Sequence, residues 1–179
     1  FSLRECEPGK VLMENNHFEF LHEFLINLMA FANAAQSLGL GQRMLDLAVS
    51  YTKDRYQFNK PIGSFQAVKH LLANVAIKLE FAKPSVYRAA HSLLKCTPKR
   101  SIHISHAKIA ACEAASLAAK NSLQAHGAMG YTWEYDLHIF IKRSLVLSST
   151  GGDFGFHKAR LLDSLLADDF QLGPTATFS

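Results

Sequence analysis

Three successive stretches of this chain repeat their apolar residues at three- and four-residue steps, each over many helical turns. That period belongs to amphipathic helices, and helices this long have few ways to bury their stripes except against one another. In the first stretch Phe18, Leu21, Phe24, Leu25, Leu28, Phe31, Ala32, Ala35 and Leu38 form one face, continued by Met44, Leu45, Leu47, Ala48 and Tyr51. The spacing predicts a single long helix that begins at Asn16 and runs through Tyr51. It is expected to loosen at Gly39 and Gly41, where a close helix neighbour is the usual reason for glycine.

Asn59-Lys60-Pro61-Ile62-Gly63 breaks the first run, and Ser64 is suited to cap the next helix. Phe65, Val68, Leu71, Leu72, Val75, Ile77, Leu79 and Phe81 supply the second stripe. Pro84 is expected to kink or interrupt it, because the ring meets a carbonyl one turn back. The stripe resumes at Val86, Ala89, Ala90 and Leu93, and Cys96-Thr97-Pro98-Lys99 forms the next connection. A third helix is expected from Ser101 to Ala125, rich in alanine and therefore near the centre of the assembly, with Gly127 and Gly130 ending it. Shorter helices follow at Tyr135 to Leu147 and Phe156 to Leu166. The fold class is all-α: an antiparallel up-down four-helix bundle with a short extra C-terminal helix, occupying residues 16–170. Residues 1–15, with the Pro8-Gly9 turn, read as a lead-in from a preceding domain, and residues 171–179 as a flexible tail.

Composition removes the alternatives. Ten Gly and five Pro are too few for the turns of a small β-sandwich or barrel. With 49% apolar and 19% charged residues, wholesale disorder is excluded. No uninterrupted apolar run is long enough to cross a bilayer, so no membrane span is expected. The opening FSLRECEPGK has no secretory h-region, and it lacks an initiator Met, as a piece of a longer polypeptide would. Cys6, Cys96 and Cys112 are odd in number without CxxC spacing, which fits reduced thiols in an intracellular protein. A net charge of +4 is spread singly along the chain, which predicts an ordinary solvated surface and no nucleic-acid partner.

Generic catalytic motifs are missing. The chain has no GxGxxG after a strand, no GxxxxGK[ST], no GxSxG and no HExxH, since His22-Glu23 is not followed by a second His at position 26. His103 and His106 lie one turn apart without an acidic or cysteine companion, so a surface pair is expected rather than a metal site. Two other stretches are unusual for a plain bundle. Arg55 to Gln66 offers a cation, an aromatic face at Phe58 and a rigid Pro-Ile-Gly turn, which suit a pyrophosphate joined to an aromatic base. Gln124-Ala125-His126-Gly127-Ala128-Met129-Gly130-Tyr131 ends a helix in a glycine-punctuated loop, where backbone approaches a ligand closely and an amide can read it. Each alone also fits a capped helix or an aromatic-anchored turn.

Together, and in this order along the chain, they resemble the C-terminal helical domain of the acyl-CoA dehydrogenase family. The family's pattern is an LD in a long helix, a YxxxRxxFGxPIxxFQ segment and a QxxGGxGY loop. Here these read Leu45-Asp46, Tyr51 to Gln66, and Gln124 to Tyr131, within a resemblance from Phe31 to Arg160. The resemblance implies a bundle at the core of a homo- or hetero-oligomer, following two domains absent here. It implies FAD held across a subunit boundary, an acyl-CoA substrate, and a cytoplasmic (or, in a eukaryote, mitochondrial-matrix) location. Arg55 and Phe58 match residues that reach the ADP half of a neighbour's FAD. Gln124 and Gly127 match the loop at the same part of the cofactor, and Phe65 and Gln66 lie close to that surface. Asn59 replaces the usual Gly, and Ala128 the second Gly of the loop.

The positions that match catalytic residues depart further. The family oxidises a Cα–Cβ bond: a carboxylate removes the α proton and FAD takes the β hydride. The usual Glu falls at or beside Gly151, in Ser149-Thr150-Gly151-Gly152-Asp153. An alternative base position falls near Met29, a CoA-contacting Arg at Ala30, its companion Asp at Asn27, and a further Arg at Lys158. Asp153 is the nearby carboxylate, two residues too far along. The expected function is therefore that of a subunit serving a neighbour's FAD beside a catalytic partner. Heteromeric bacterial members that act on bulky acyl-CoA side chains, sterols included, are built this way. A self-sufficient dehydrogenase with a displaced base, and a helical interaction module without flavin chemistry, remain the alternatives.

Overall fold

A computed structural model describes residues 15–167, with side chains from residue 18. The expected lead-in, Cys6 and tail lie outside the described residues. Five helices follow in order: α1 Asn15–Asp54, α2 Gln66–Leu94, α3 Arg100–His126, α4 Leu137–Ser149 and α5 Phe154–Leu165.

Hydrogen bonds between helices fix their directions. Along α1 and α3, Asn27 meets Ser101, Ser37 meets Cys112 and Met44 meets Ser122, so the numbers rise together and the two helices run parallel. Between α2 and α3 the order reverses: Asn121 reaches the Leu71 carbonyl, Lys78 pairs with Glu113 and Ser92 meets His103. Arg143 to Gln36 and Asn33 to the Thr150 carbonyl set α4 antiparallel to α1. The result is an up-down-up-down bundle with α5 added, as the periodicity predicts.

The centre is built from α3. Ala107, Ala111, Ala114, Ala115 and Ala118 are buried, and their small side chains let α1 and α2 approach. Met44, Leu79, Ile104, Leu137 and Leu147 fill the space around them. A Cβ on Gly41 would stand 2.7 Å from Leu79 Cδ2 and 3.4 Å from the Ala115 backbone, so glycine is there for close approach. Gly39 has no such neighbour, and α1 is unbroken at both positions.

Other expectations are corrected. Pro84 does not interrupt α2, because Val75, Leu79 and Ala82 before it and Val86 and Ala89 after it bury on one continuous face. Tertiary packing thus outweighs the local preference of proline for a helix end. Ser64 does not cap α2. It closes a 3₁₀ turn, Ile62–Ser64, and Phe65 takes the capping position without a side-chain bond. By length and composition, α1 from Phe18 to Asp54 is apolar enough to cross a membrane. In the bundle it packs on α2, α3 and α4.

Candidate functional site

The two motif stretches lie at one end of the bundle, where α1 and α3 both finish. Beyond Asp54 the chain forms a minimal hairpin, with Tyr56 paired to Pro61 and Gln57 to Lys60. Its central residues, Phe58 and Asn59, have φ of 52° and 60°, the form of a type I′ turn. Asn tolerates this left-handed region; a phenylalanine there is strained. The strained ring is also 85% exposed. It meets Phe65 edge-on, 6.2 Å between centroids, and Lys60 Nζ stands 4.2 Å over the Phe65 ring. The hairpin returns to α1 through the Ile62 N–H to Arg55 O bond at 2.8 Å, and Gly63 lies against Thr52 so closely that a Cβ would stand 3.0 Å from its carbonyl oxygen.

The second loop leaves α3 at Gly127, with φ 61°, whose N–H returns to the carbonyls of Gln124 and Leu123. A Cβ on Gly130 would sit 2.8 Å from Leu123 Cδ1, so this glycine permits the loop to fold back onto the helix. Ala128 has no positive φ, so its methyl group fits where the family pattern has glycine.

Aromatic rings join the two stretches. Tyr51 of α1 stacks on His126 of α3 at 4.4 Å and 19°, and Tyr135 stands edge-on to both, at 5.4 and 5.5 Å. Beside them a cleft of 290 Å³ is lined by Ser50, Tyr51, Asp54, Arg55, Met129 and Tyr135 among others. Arg55 from the first stretch and Met129 from the second therefore share one wall. Arg55 is exposed and makes no ion pair or side-chain hydrogen bond among the described residues. A free guanidinium beside aromatic rings suits an anionic, partly aromatic ligand, though Asp54 adds a carboxylate to the same wall. Gln124, Gly127 and Gln66 are exposed at the last turn of α3 and the first of α2, and no side-chain hydrogen bond ties either glutamine to Arg55. Phe58 and Phe65 pair with each other on the hairpin side.

The positions matched to catalytic residues converge elsewhere, where α4 ends against the first half of α1. A Cβ on Gly151 would stand 3.1 Å from Asn33 Nδ2, 3.2 Å from the Ala30 nitrogen and 3.2 Å from Met29 Cγ. Gly151 and Gly152 have φ of 72° and 97°. Three buried donors hold this loop. Asn33 Nδ2 donates to Thr150 O at 2.7 Å, and Lys108 Nζ to Thr150 O at 2.9 Å and also to Leu147 O. His157 bonds Gly151 O through Nε2 at 3.0 Å and Ser105 Oγ through Nδ1 at 3.0 Å. Because a carbonyl only accepts, Nε2 carries the proton. Burial pushes the Lys108 ammonium and the His157 imidazole below their ordinary pKa ranges. Asp153 is the N-cap of α5, its Oδ1 accepting the Phe156 N–H at 2.8 Å. Asn27 is buried and bonded to Ser101 and to Arg160 Nη1 at 2.9 and 2.7 Å.

Two histidines differ from expectation. His103 is not an open surface residue: it is half-buried, its Nδ1 meets Ser92 Oγ at 2.6 Å, and burial lowers its pKa to about 4. His126 holds the aromatic cluster, a role that its place in the motif between Gln124 and Gly127 does not announce. No three His, Cys, Asp or Glu side chains gather at metal-binding distance among the described residues.

Residues 18–166 match the family model for the acyl-CoA dehydrogenase C-terminal domain. An acyl-CoA dehydrogenase of Mycobacterium tuberculosis, IpdE2, is 41% identical over 111 residues, covering 62% of this chain and 33% of that protein. Among solved structures, butyryl-CoA dehydrogenase of Megasphaera elsdenii superposes with a TM-score of 0.80 at 26% identity, over 87% of this chain and 40% of that one. The ChsE4–ChsE5 complex of Mycobacterium tuberculosis superposes with 0.76 at 25% identity, over 83% and 40%. The chain thus spans about a third of the curated relative's length.

Proposed function

Since this chain belongs to the acyl-CoA dehydrogenase family as its C-terminal domain, we propose that it completes an FAD site held mainly by a neighbouring subunit. On this reading, Arg55 binds the diphosphate and Phe58 packs on the ADP half. Phe65 and Gln66 flank them, and Gln124 and Gly127 approach from the second loop. FAD supplies hydride acceptance for the α,β-dehydrogenation of an acyl-CoA thioester. The residues of this chain bind and orient; they do not move the α proton.

The observation that carries this reading is the contrast between the two ends. At one, a guanidinium without a partner among the described residues shares a cleft with the glycine loop, beside a phenyl ring kept exposed at a conformational cost. At the other, the position of the base is a glycine at positive φ, packed against Met29, Ala30 and Asn33. A subunit that lends cofactor contacts and lacks its own base requires a partner. The name of the ChsE4–ChsE5 complex, a two-component relative of the same fold, supports a heteromer, and α2 exposes Ile77, Phe81, Tyr87 and Leu94 for such packing. The location we propose, cytoplasmic or in a eukaryote the mitochondrial matrix, is the one the family resemblance implies; Cys96 and Cys112 form no disulfide among the described residues.

The test is co-expression of the full-length subunit with candidate partners, reading flavin content and acyl-CoA-dependent dye reduction. Full activity of the subunit as a homomer overturns the proposal. Asp153→Asn then separates it from a self-sufficient enzyme: the heteromer keeps its turnover, whereas an enzyme using Asp153 as base loses it.

A further inference from the structure

His126 takes no part in the proposed ligand contacts, yet it touches each of the elements that frame the cleft. Its Nδ1 lies 2.7 Å from the Ser122 carbonyl. A carbonyl only accepts, so Nδ1 bears a hydrogen, and burial favours the neutral ring. That bond sets the plane of the imidazole relative to α3. Ser122 in turn donates its hydroxyl to the Met44 carbonyl at 3.0 Å, tying the same turn of α3 to α1. The fixed imidazole lies flat on Tyr51, and the Tyr51 carbonyl accepts the Arg55 N–H at 2.9 Å. Tyr135 closes the cluster from the segment leading into α4.

We propose that His126 is the positioning residue of the dinucleotide cleft: its imidazole orients Tyr51, and through it the terminal turn of α1, so that Arg55 faces the loop carrying Gly127 and Met129. This rests on the preceding reading that the cleft takes the ADP half of FAD. Stacking and edge contacts between rings are directional, so the cluster fixes an angle as well as a distance. An alanine at 126 keeps the helix but leaves the Tyr51 ring only its edge contact with Tyr135, and Arg55 then samples orientations that do not meet the diphosphate. Phenylalanine at 126 retains a stacking face but loses the bond to Ser122 that sets its plane.

The experiment uses the full-length subunit assembled with its flavin-carrying partner, stripped of FAD and titrated with FAD by flavin fluorescence. His126→Ala is expected to weaken FAD binding about tenfold, and His126→Phe by an intermediate factor. A double-mutant cycle with Arg55→Ala distinguishes positioning from general support of the fold. If His126 acts through Arg55, its removal adds less than about twofold once Arg55 is gone. An undiminished tenfold loss in the Arg55→Ala background overturns the proposal, as does unchanged affinity in His126→Ala. Should His126→Ala not assemble, the same cycle with His126→Phe decides between these outcomes. If Arg55→Ala itself binds FAD normally, the underlying reading of the cleft fails; if Arg55→Ala weakens binding and His126→Ala does not, only the role of His126 fails.

Discussion

Asn33, in the middle of α1, donates its side-chain amide to the carbonyl of Thr150 at 2.7 Å, closing a contact over 117 residues of sequence. Lys108 donates to the same oxygen from α3, and His157 to the next carbonyl from α5. A loop whose free carbonyls are bound by three buried side chains from three helices is structural scaffolding. The geometry bears directly on whether a lost carboxylate can be restored there.

Gly151→Glu is expected not to confer acyl-CoA-dependent dye reduction on the full-length subunit alone. A left-handed φ costs an L-residue about 1–2 kcal/mol, and the new Cβ presses on Asn33, Ala30 and Met29 at 3.1–3.2 Å. A lowered melting temperature without activity is the predicted result. Measurable turnover in this variant shows that the site needs only its base.

Lys108→Met is expected to destabilise the subunit by about 1–3 kcal/mol, the usual cost of leaving buried acceptors unpaired. The Leu147 carbonyl loses its side-chain donor and the Thr150 carbonyl keeps only Asn33, while the methionine fills similar space. Chemical denaturation at fixed pH measures the loss. Unchanged stability shows that desolvating the buried ammonium was already as costly as its bonds were favourable.

The bundle is legible because its period is local: each stripe announces its own helix, and short links force neighbours to alternate direction. Arg55 and Phe58 are legible as types of residue in an unusual turn. Lys108 and His157 are not, since a charged residue among the alanines of α3 carries no mark of what it will bond. Their partners are backbone carbonyls 42 and 6 residues away, which only folding brings near. His126 stands in a recognised motif, but its role depends on Tyr51, which belongs to a different helix. The unbroken passage of α2 through Pro84 escapes a local reading for the same reason: long-range packing overrides a local propensity.

Asn59→Gly is expected to be neutral or to stabilise the hairpin by a few tenths of a kcal/mol, because glycine enters the left-handed region freely. Asn59→Val is expected to cost about 1 kcal/mol or more, since a β-branched residue resists a left-handed φ. Thermal melts of the two variants test this order. If Val is as stable as Gly, the turn does not hold the conformation described, and the exposure of Phe58 loses its explanation.

Acidification should weaken the fold through its buried imidazoles. Burial is the largest cause of the lowered pKa at His103, His126 and His157, with Arg88 and Lys99 adding repulsion at His103. Each group binds its proton more readily in the unfolded chain, so stability rises with pH between the folded and unfolded values. It is complete above the ordinary histidine value of 6.5 and declines as pH falls towards about 4 for His103. Glu23, whose carboxylate is held below its ordinary value of 4.5 chiefly by the Ser101 hydroxyl, adds to the decline only at lower pH still. The denaturation midpoint, followed by helix signal at constant slope, is therefore expected to be lower at pH 5 than at pH 7. His103→Asn should flatten that dependence by one proton of the three. A midpoint unchanged between pH 7 and 5 contradicts the buried, neutral state of all three rings, including the His126 ring on which the orientation of Arg55 is proposed to depend.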